Sequence, residues 1–182
     1  MKAKDHVILF YSKPEDKHLV LFTYLKASLD NGEAVAYVAG EESIAEVRRA
    51  MRDFGLNAEE LDEKHALKII DYREWYIIEG KFRASKTMEL WKNLYEEAIG
   101  NGFKGLRVTG EMTCFFKHGM VRELVEYEDA LHSVLELPIA AICAHNTDVI
   151  SKEEGGELFL DLIKAHSTVI ILGPELGLVK SY

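Results

Sequence analysis

From Val7 to Gly40 the chain reads as strand, loop, helix and strand, an order that calls for a parallel α/β unit. The apolar run Val7-Ile8-Leu9-Phe10-Tyr11 leads into Ser12-Lys13-Pro14-Glu15-Asp16-Lys17-His18. A helical segment from about Leu19 to Leu29 follows, then Asn31-Gly32 and a second apolar run from Ala34 to Ala39. A loop in this place often carries Gly, four residues, then Gly-Lys-Ser/Thr. Its bare backbone N–H groups wrap phosphates, and its hydroxyl reaches Mg²⁺. Laid on that pattern without a gap, Tyr11 and Asp16 stand where the glycines belong, Lys17 keeps the lysine, and His18 replaces the hydroxyl. Pro14 removes a backbone donor, and Glu15 and Asp16 place negative charge where phosphates would sit. The segment has the shape of a nucleotide-binding unit, with a loop built against triphosphate.

The alternation continues. Ser43 with Glu46 three residues on has capping-box spacing and opens a helix that Gly55 stops. Leu67 to Asp71 is a third strand, and Glu74 to Gly80 an aromatic-rich connection. Met88, Trp91, Leu94, Tyr95 and Ala98 recur at helical spacing within Ser85 to Ile99. Leu106 to Thr109 is a fourth strand, Val121 to Leu135 a long helix, and Ile139 to Ala144 a fifth strand. A helix from Gly156 to Ala165 and a last strand from Thr168 to Leu172 complete the pattern. The expected architecture is three-layered, a mostly parallel sheet with helices on both faces, in one domain over residues 1–182. In such a sheet the ligand crevice lies beyond the carboxyl ends of the strands.

Charge narrows the function. A net charge of −9 and a pI near 5.3 argue against a nucleic-acid partner and against an anionic membrane surface. Arg48, Arg49 and Arg52 are surrounded by Glu41, Glu42, Glu46 and Asp53, so they read as a solvated helix face. No apolar run approaches a membrane span, and no signal-peptide pattern precedes Val7, so a cytoplasmic protein is expected. Cys114 and Cys143 lie in apolar contexts and are expected as buried free thiols.

Further segments carry a family resemblance. Gly32-Glu33-Ala34-Val35-Ala36-Tyr37-Val38 and Glu41-Glu42, with a helix ending Met51-Arg52-Asp53-Phe54-Gly55, resemble the KaiC/RecA-like ATPases. A wider resemblance rests on His6 to Tyr11, Gly32-Glu33, Gly80-Lys81-Phe82, and Leu106-Arg107-Val108-Thr109-Gly110-Glu111-Met112. Tyr127-Glu128, Cys143-Ala144-His145 and His166-Ser167-Thr168-Val169-Ile170 follow in order. Together these resemble the MEDS domain, the methanogen/methylotroph, DcmR-type sensory family. The resemblance implies a sensory module on a RecA-like fold that binds small molecules such as hydrocarbon derivatives and is often fused to kinase or DNA-binding parts. Two departures stand out: no output domain is expected in this chain, and His145 occupies a position where the family usually has tyrosine.

The candidate site gathers at the strand ends. Tyr11, His18, Arg107, Glu111 and Glu128 are the expected polar contacts, with Trp75, Tyr76 and Phe82 as an apolar wall. Arg107, a charge between strand-apolar neighbours, is expected to pair with Glu111 or Glu128. Glu41 and Glu42 match the place where KaiC-like ATPases hold water-activating glutamates, and carboxylates there also suit the helix dipole. The fourth strand ends in Thr109-Gly110, with no Walker-type aspartate. A Cys-x-His pair at 143 and 145 points two ligand types to one strand face, but Cys114 and His118 make a poor second pair, so no metal and no other cofactor is expected. The expected function is non-catalytic: a sensory module that binds a small-molecule ligand and signals through a protein partner or a homo-oligomer. The competing expectation is a nucleotide-binding ATPase relying on Lys17, Glu41 and Glu42.

Overall fold

In a computed structural model, which describes residues 4–134, 137–152, 156–172 and 176–180, the strands run β1 (His6–Tyr11), β2 (Ala34–Ala39), β3 (Leu67–Asp71), β4 (Ile77–Ile78), β5 (Lys81–Phe82), β6 (Leu106–Glu111), β7 (Ala140–Asn146), β8 (Thr168–Leu172) and β9 (Leu176–Lys180). The helices are α1 (Pro14–Asp30), α2 (Ile44–Phe54), α3 (Ala58–Glu63), α4 (Tyr72–Trp75), α5 (Ala84–Gly100), α6 (Thr113–Lys117), α7 (Val121–Val134), α8 (Thr147–Ile150) and α9 (Glu157–Lys164). The main sheet has the order β3-β2-β6-β7-β1-β8-β9; its first six strands are parallel, and β9 returns antiparallel on β8. This is the expected three-layer α/β architecture.

Alternation along each strand builds the two cores. Val7, Leu9 and Tyr11 of β1 face α1 to α3, packing with Leu21, Phe22, Leu25, Val47 and Met51. Ile8 and Phe10 face the opposite layer, with Trp91 and Leu94 of α5, Leu124 of α7 and Leu162 of α9. Every residue of β1 and β2 is buried. Each such large apolar side chain contributes roughly 1.5–3 kcal/mol, which is why doubly covered strands are short continuous apolar runs.

Local chemistry sets the helix ends. Ser43 accepts from the Glu46 N–H while Glu46 accepts from Ser43 N, the capping box read from the sequence. Gly55 closes the same helix in the left-handed conformation, φ 95°. The helix expected from Leu19 begins five residues earlier, at Pro14. Pro14, Glu15 and Asp16 are themselves a helix-start signal, proline at the first position and acids in the first turn. Only Ser12 and Lys13 are left between β1 and α1.

Three further features escaped the expectation. β6 extends two residues beyond Thr109, to Glu111. The aromatic connection folds into the β4–β5 hairpin, turning at Glu79 and Gly80, both at positive φ (52° and 73°), as a two-residue hairpin loop requires. β9 follows the last expected strand. The long helix matches through Val134; Leu135 lies outside the described residues.

Candidate functional site

At the carboxyl ends of the strands, the position of the phosphate-binding loop is closed by the chain itself. Lys17, in the first turns of α1, is fully buried. Its Nζ donates to Glu111 Oε1, to Glu42 Oε2 at 2.7 Å, and lies 3.5 Å from Glu41 Oε2. It also sits 5.4 Å from the centre of the Tyr11 ring. Burial alone would strip its proton, but the three carboxylates more than offset this, so its pKa is raised above 10.5.

Glu111 is the hub. It has no exposed surface and accepts from Lys17, from Tyr37 Oη at 2.6 Å, and from the backbone N–H groups of Gly40 and Glu41 at 2.8 and 2.7 Å. One carboxylate thereby joins α1, β2 and β6. Gly40 is required by this approach: a Cβ there would come closer than 3.0 Å to the Glu111 carbonyl oxygen. Glu41 accepts from Thr113 Oγ1, and Lys117 Nζ donates to the Gly40 carbonyl at 3.1 Å. His18 Nε2 lies 2.7 Å from Glu42 Oε2. Burial pushes Glu42 up, but His18 and Lys17 outweigh it and hold the carboxyl down to about 2. Burial, with Glu41 beside it, pushes the Tyr11 phenol up, and burial with Glu111 does the same for Tyr37, so both stay neutral. Tyr11, Lys17, His18, Glu41, Glu42 and Glu111 thus meet in one network, and the network is anion-rich. A phosphate there would face three carboxylates and a lysine already engaged by them.

Two expected members are elsewhere. Arg107 is the second residue of β6, and its Nε donates to Glu33 Oε1 at 2.8 Å, across to the residue before β2. Glu111 is four residues on, about 13 Å along the strand, so the expected pairing of Arg107 with Glu111 is corrected by strand geometry. Glu128, on α7, is fully buried on the other side of the sheet. It accepts from or faces His6 Nε2 at 3.1 Å, His145 Nε2 at 3.3 Å and His166 Nε2 at 3.5 Å, so it does not belong to the Lys17 network and does not pair with Arg107 as expected. Cys143 Sγ is 3.4 Å from His6 Nε2. Cys114 and His118 are scattered: Cys114 Sγ donates to the Glu111 carbonyl, and His118 contacts Tyr72. His6 and His166 were not expected at any site, although both lie in segments that carry the family resemblance. Cys143 and His145 were correctly placed on one face, but their partners come from three other elements.

The aromatics also sort differently. Trp75, Tyr76 and Phe82 lie on the Glu128 side of the sheet with Trp91, Phe115 and Tyr127. Trp75 meets Trp91 edge-on at 4.6 Å, and Phe82 meets Phe115 at 5.1 Å. Tyr76 Oη packs against Gly110, where a Cβ would fall closer than 3.0 Å. These three aromatics therefore do not wall the Lys17 crevice. Trp75 and Tyr76 instead line a surface cleft of about 190 Å³ with Ile78, Lys81, Arg83 and Lys86, just after the carboxyl end of β3. The Trp75 indole N–H has no acceptor among the described residues. A larger cleft, about 250 Å³, lies at the opposite, amino ends of β2, β3 and β6 and is lined partly by the Lys68–Glu97 pair. That end of a parallel sheet is the less favourable place for a site. No helix among the described residues is long and apolar enough to cross a membrane.

Comparison with known proteins agrees with this fold. A family model described as MEDS, the methanogen/methylotroph, DcmR sensory domain, matches residues 5–167. A KaiC-like protein from the hyperthermophilic archaeon Pyrococcus horikoshii OT3 has a similar structure, with a TM-score of 0.69 and 17% identity, over 98% of this chain and 79% of that one. At that identity the likeness is one of fold. No curated protein matches the chain.

Proposed function

The chain belongs to the MEDS family of sensory domains, and from that premise we propose that it is a non-catalytic module that binds a small molecule beside the β4–β5 hairpin and signals through a protein partner or a second copy. One observation carries the reading: the place where a RecA-like fold would hold triphosphate is occupied by the buried Lys17–Glu111 pair, while an open cleft floored by Trp75 and Tyr76 lies nearby on the strand-end side. The indole and phenol supply apolar area. Lys81, Arg83 and Lys86 outnumber Glu79 on the rim, which favours a ligand with an apolar body and an acidic end. The loop is degenerate in this reading, and no nucleotide is hydrolysed.

Two titrations test it. Mg-ATP followed by calorimetry gives no heat of saturable binding. Small hydrocarbon derivatives, with and without a carboxylate, are then followed by intrinsic fluorescence, since Trp75 and Trp91 are in contact and are the chain's two tryptophans. A binder perturbs the emission, and Lys86→Ala weakens the acidic ligands selectively. Saturable micromolar ATP binding would reinstate the ATPase alternative with Lys17, Glu41 and Glu42. Signalling through self-association is read by sedimentation with and without the binder.

A further inference from the structure

On the α7 and α9 side of the sheet, donor atoms of several kinds converge in a dry interior. His6 opens β1, Cys143 lies within β7, Glu128 is on α7, and His166 follows α9. All four residues are buried, and one ligand atom from each lies within 4.8 Å of all the others. The hydrogen bonds on the far side of each ring orient the two imidazoles. His6 Nδ1 is 3.0 Å from the Ala165 carbonyl oxygen, and His166 Nδ1 is 2.6 Å from that of Leu162. A carbonyl only accepts, so each Nδ1 carries its ring's proton. In the neutral rings, both Nε2 atoms then turn a lone pair toward Glu128 Oε2, at 3.1 and 3.5 Å.

Two nitrogen lone pairs, a carboxylate oxygen and a sulfur facing one point call for a cation. We propose that His6, Glu128, Cys143 and His166 form a site for one divalent transition metal ion, best matched by Zn²⁺. The spacing fits. Tetrahedral zinc with bonds of about 2.0–2.3 Å separates its ligand atoms by about 3.3–3.6 Å; three of the six ligand pairs here stand at 3.1, 3.5 and 3.4 Å, and the others lie within 4.8 Å. The backbone bonds to both Nδ1 atoms are the outer support that zinc-bound imidazoles usually have. His145, 3.3 Å from Glu128 Oε1, holds the other carboxylate oxygen.

Charge balance agrees. Binding would release one proton, from the Cys143 thiol, leaving Zn²⁺ balanced by one thiolate and one carboxylate. A neutral complex avoids the cost of an unbalanced buried charge. The ligands come from four separate elements, so the ion would pin β1 and β7 to the helical layer over them.

The probe is the metal alone, on the full chain stripped with chelator. Because the ligands are buried, Co²⁺ is supplied both to the folded protein and during refolding from urea. One equivalent is expected to bind, with the intense visible bands of tetrahedral Co²⁺ and a near-ultraviolet thiolate charge-transfer band. Zn²⁺ displaces it, and one proton per ion appears in weak buffer. Cys143→Ser should abolish the charge-transfer band while circular dichroism stays native, and His166→Gln should weaken binding at least about 100-fold. Failure of the wild-type protein to take up one equivalent by either route overturns the proposal. So does a cobalt spectrum that Cys143→Ser leaves unchanged. In either case the cluster is a hydrogen-bonded lock sharing protons alone.

Discussion

Replacing Lys17 with methionine separates a structural lysine from a phosphate-binding one. In a working phosphate loop the lysine waits for ligand, so its loss weakens nucleotide binding more than stability. Here its ammonium is fully buried against Glu111 and 2.7 Å from Glu42. Deleting one partner of a buried ion pair costs about 3–5 kcal/mol, because the other charge is left behind. Glu111 keeps three donors, from Tyr37, Gly40 and Glu41. Glu42, with 23% of its side chain exposed, can turn outward. The lower end of the range, about 3 kcal/mol, therefore applies. With a urea slope of roughly 2 kcal/mol/M, the unfolding midpoint of Lys17→Met falls by about 1.5 M. Adding Glu111→Gln removes the stranded charge, so the double variant recovers to within about 1 kcal/mol of the parent. Equilibrium urea unfolding of the three proteins measures both quantities. A loss under about 1 kcal/mol in Lys17→Met, or no recovery in the double variant, would refute the lock.

Two other outcomes follow from the packing and the charges. Gly110→Ala drives a Cβ into Tyr76 Oη and to 3.0 Å from Met112 Cε. It should destabilise by about 1–3 kcal/mol, and adding Tyr76→Phe, which removes the clashing oxygen, should restore part of that loss in thermal melts. For pH, in metal-free protein, His6 has its folded pKa below its ordinary 6.5, so the unfolded chain binds more protons and stability falls as pH drops below 6.5. Glu128, depressed below 4.5, adds a further loss as pH falls through its folded value. Lys17, raised above 10.5, contributes fully at neutral pH and loses its contribution only above 10.5. The melting temperature should therefore plateau from about 6.5 to about 9, above which the unfolded chain's Cys114 and Cys143 thiols, raised by burial in the folded protein, ionise first, and His6→Gln should flatten the upper part of the acid limb. An unchanged acid limb in that variant would remove His6 from the account.

Much of this protein is written locally. Apolar runs such as Val7 to Tyr11 become doubly covered strands because burial on both faces leaves no room for polar alternation. Ser43, Glu46 and Gly55 mark α2 because caps act within a few residues of chain. The absence of glycines and of a hydroxyl around Lys17 is likewise plain from the residues alone. Even the early start of α1 was legible in Pro14-Glu15-Asp16, though the phosphate-loop alignment obscured it.

The partners of those residues are another matter. Lys17 meets Glu111 across 94 positions because β6 lies beside β2 and ends level with the first turn of α1. Arg107, four residues earlier on the same strand, is carried to the opposite end of the sheet and meets Glu33. His6 and Cys143 come together because β1 pairs with β7, and His166 joins them because β8 flanks β1 on its other side. Glu128 reaches the same point from a helix laid across that face. Strand order is set by how whole layers pack, a non-local choice that periodicity does not encode. Local residue patterns settle the kind of layers this chain builds, and they show that the residues around Lys17 lack the glycines and hydroxyl of a phosphate loop. Which charges neutralise one another and which donors share a single buried point follows from how those layers pack.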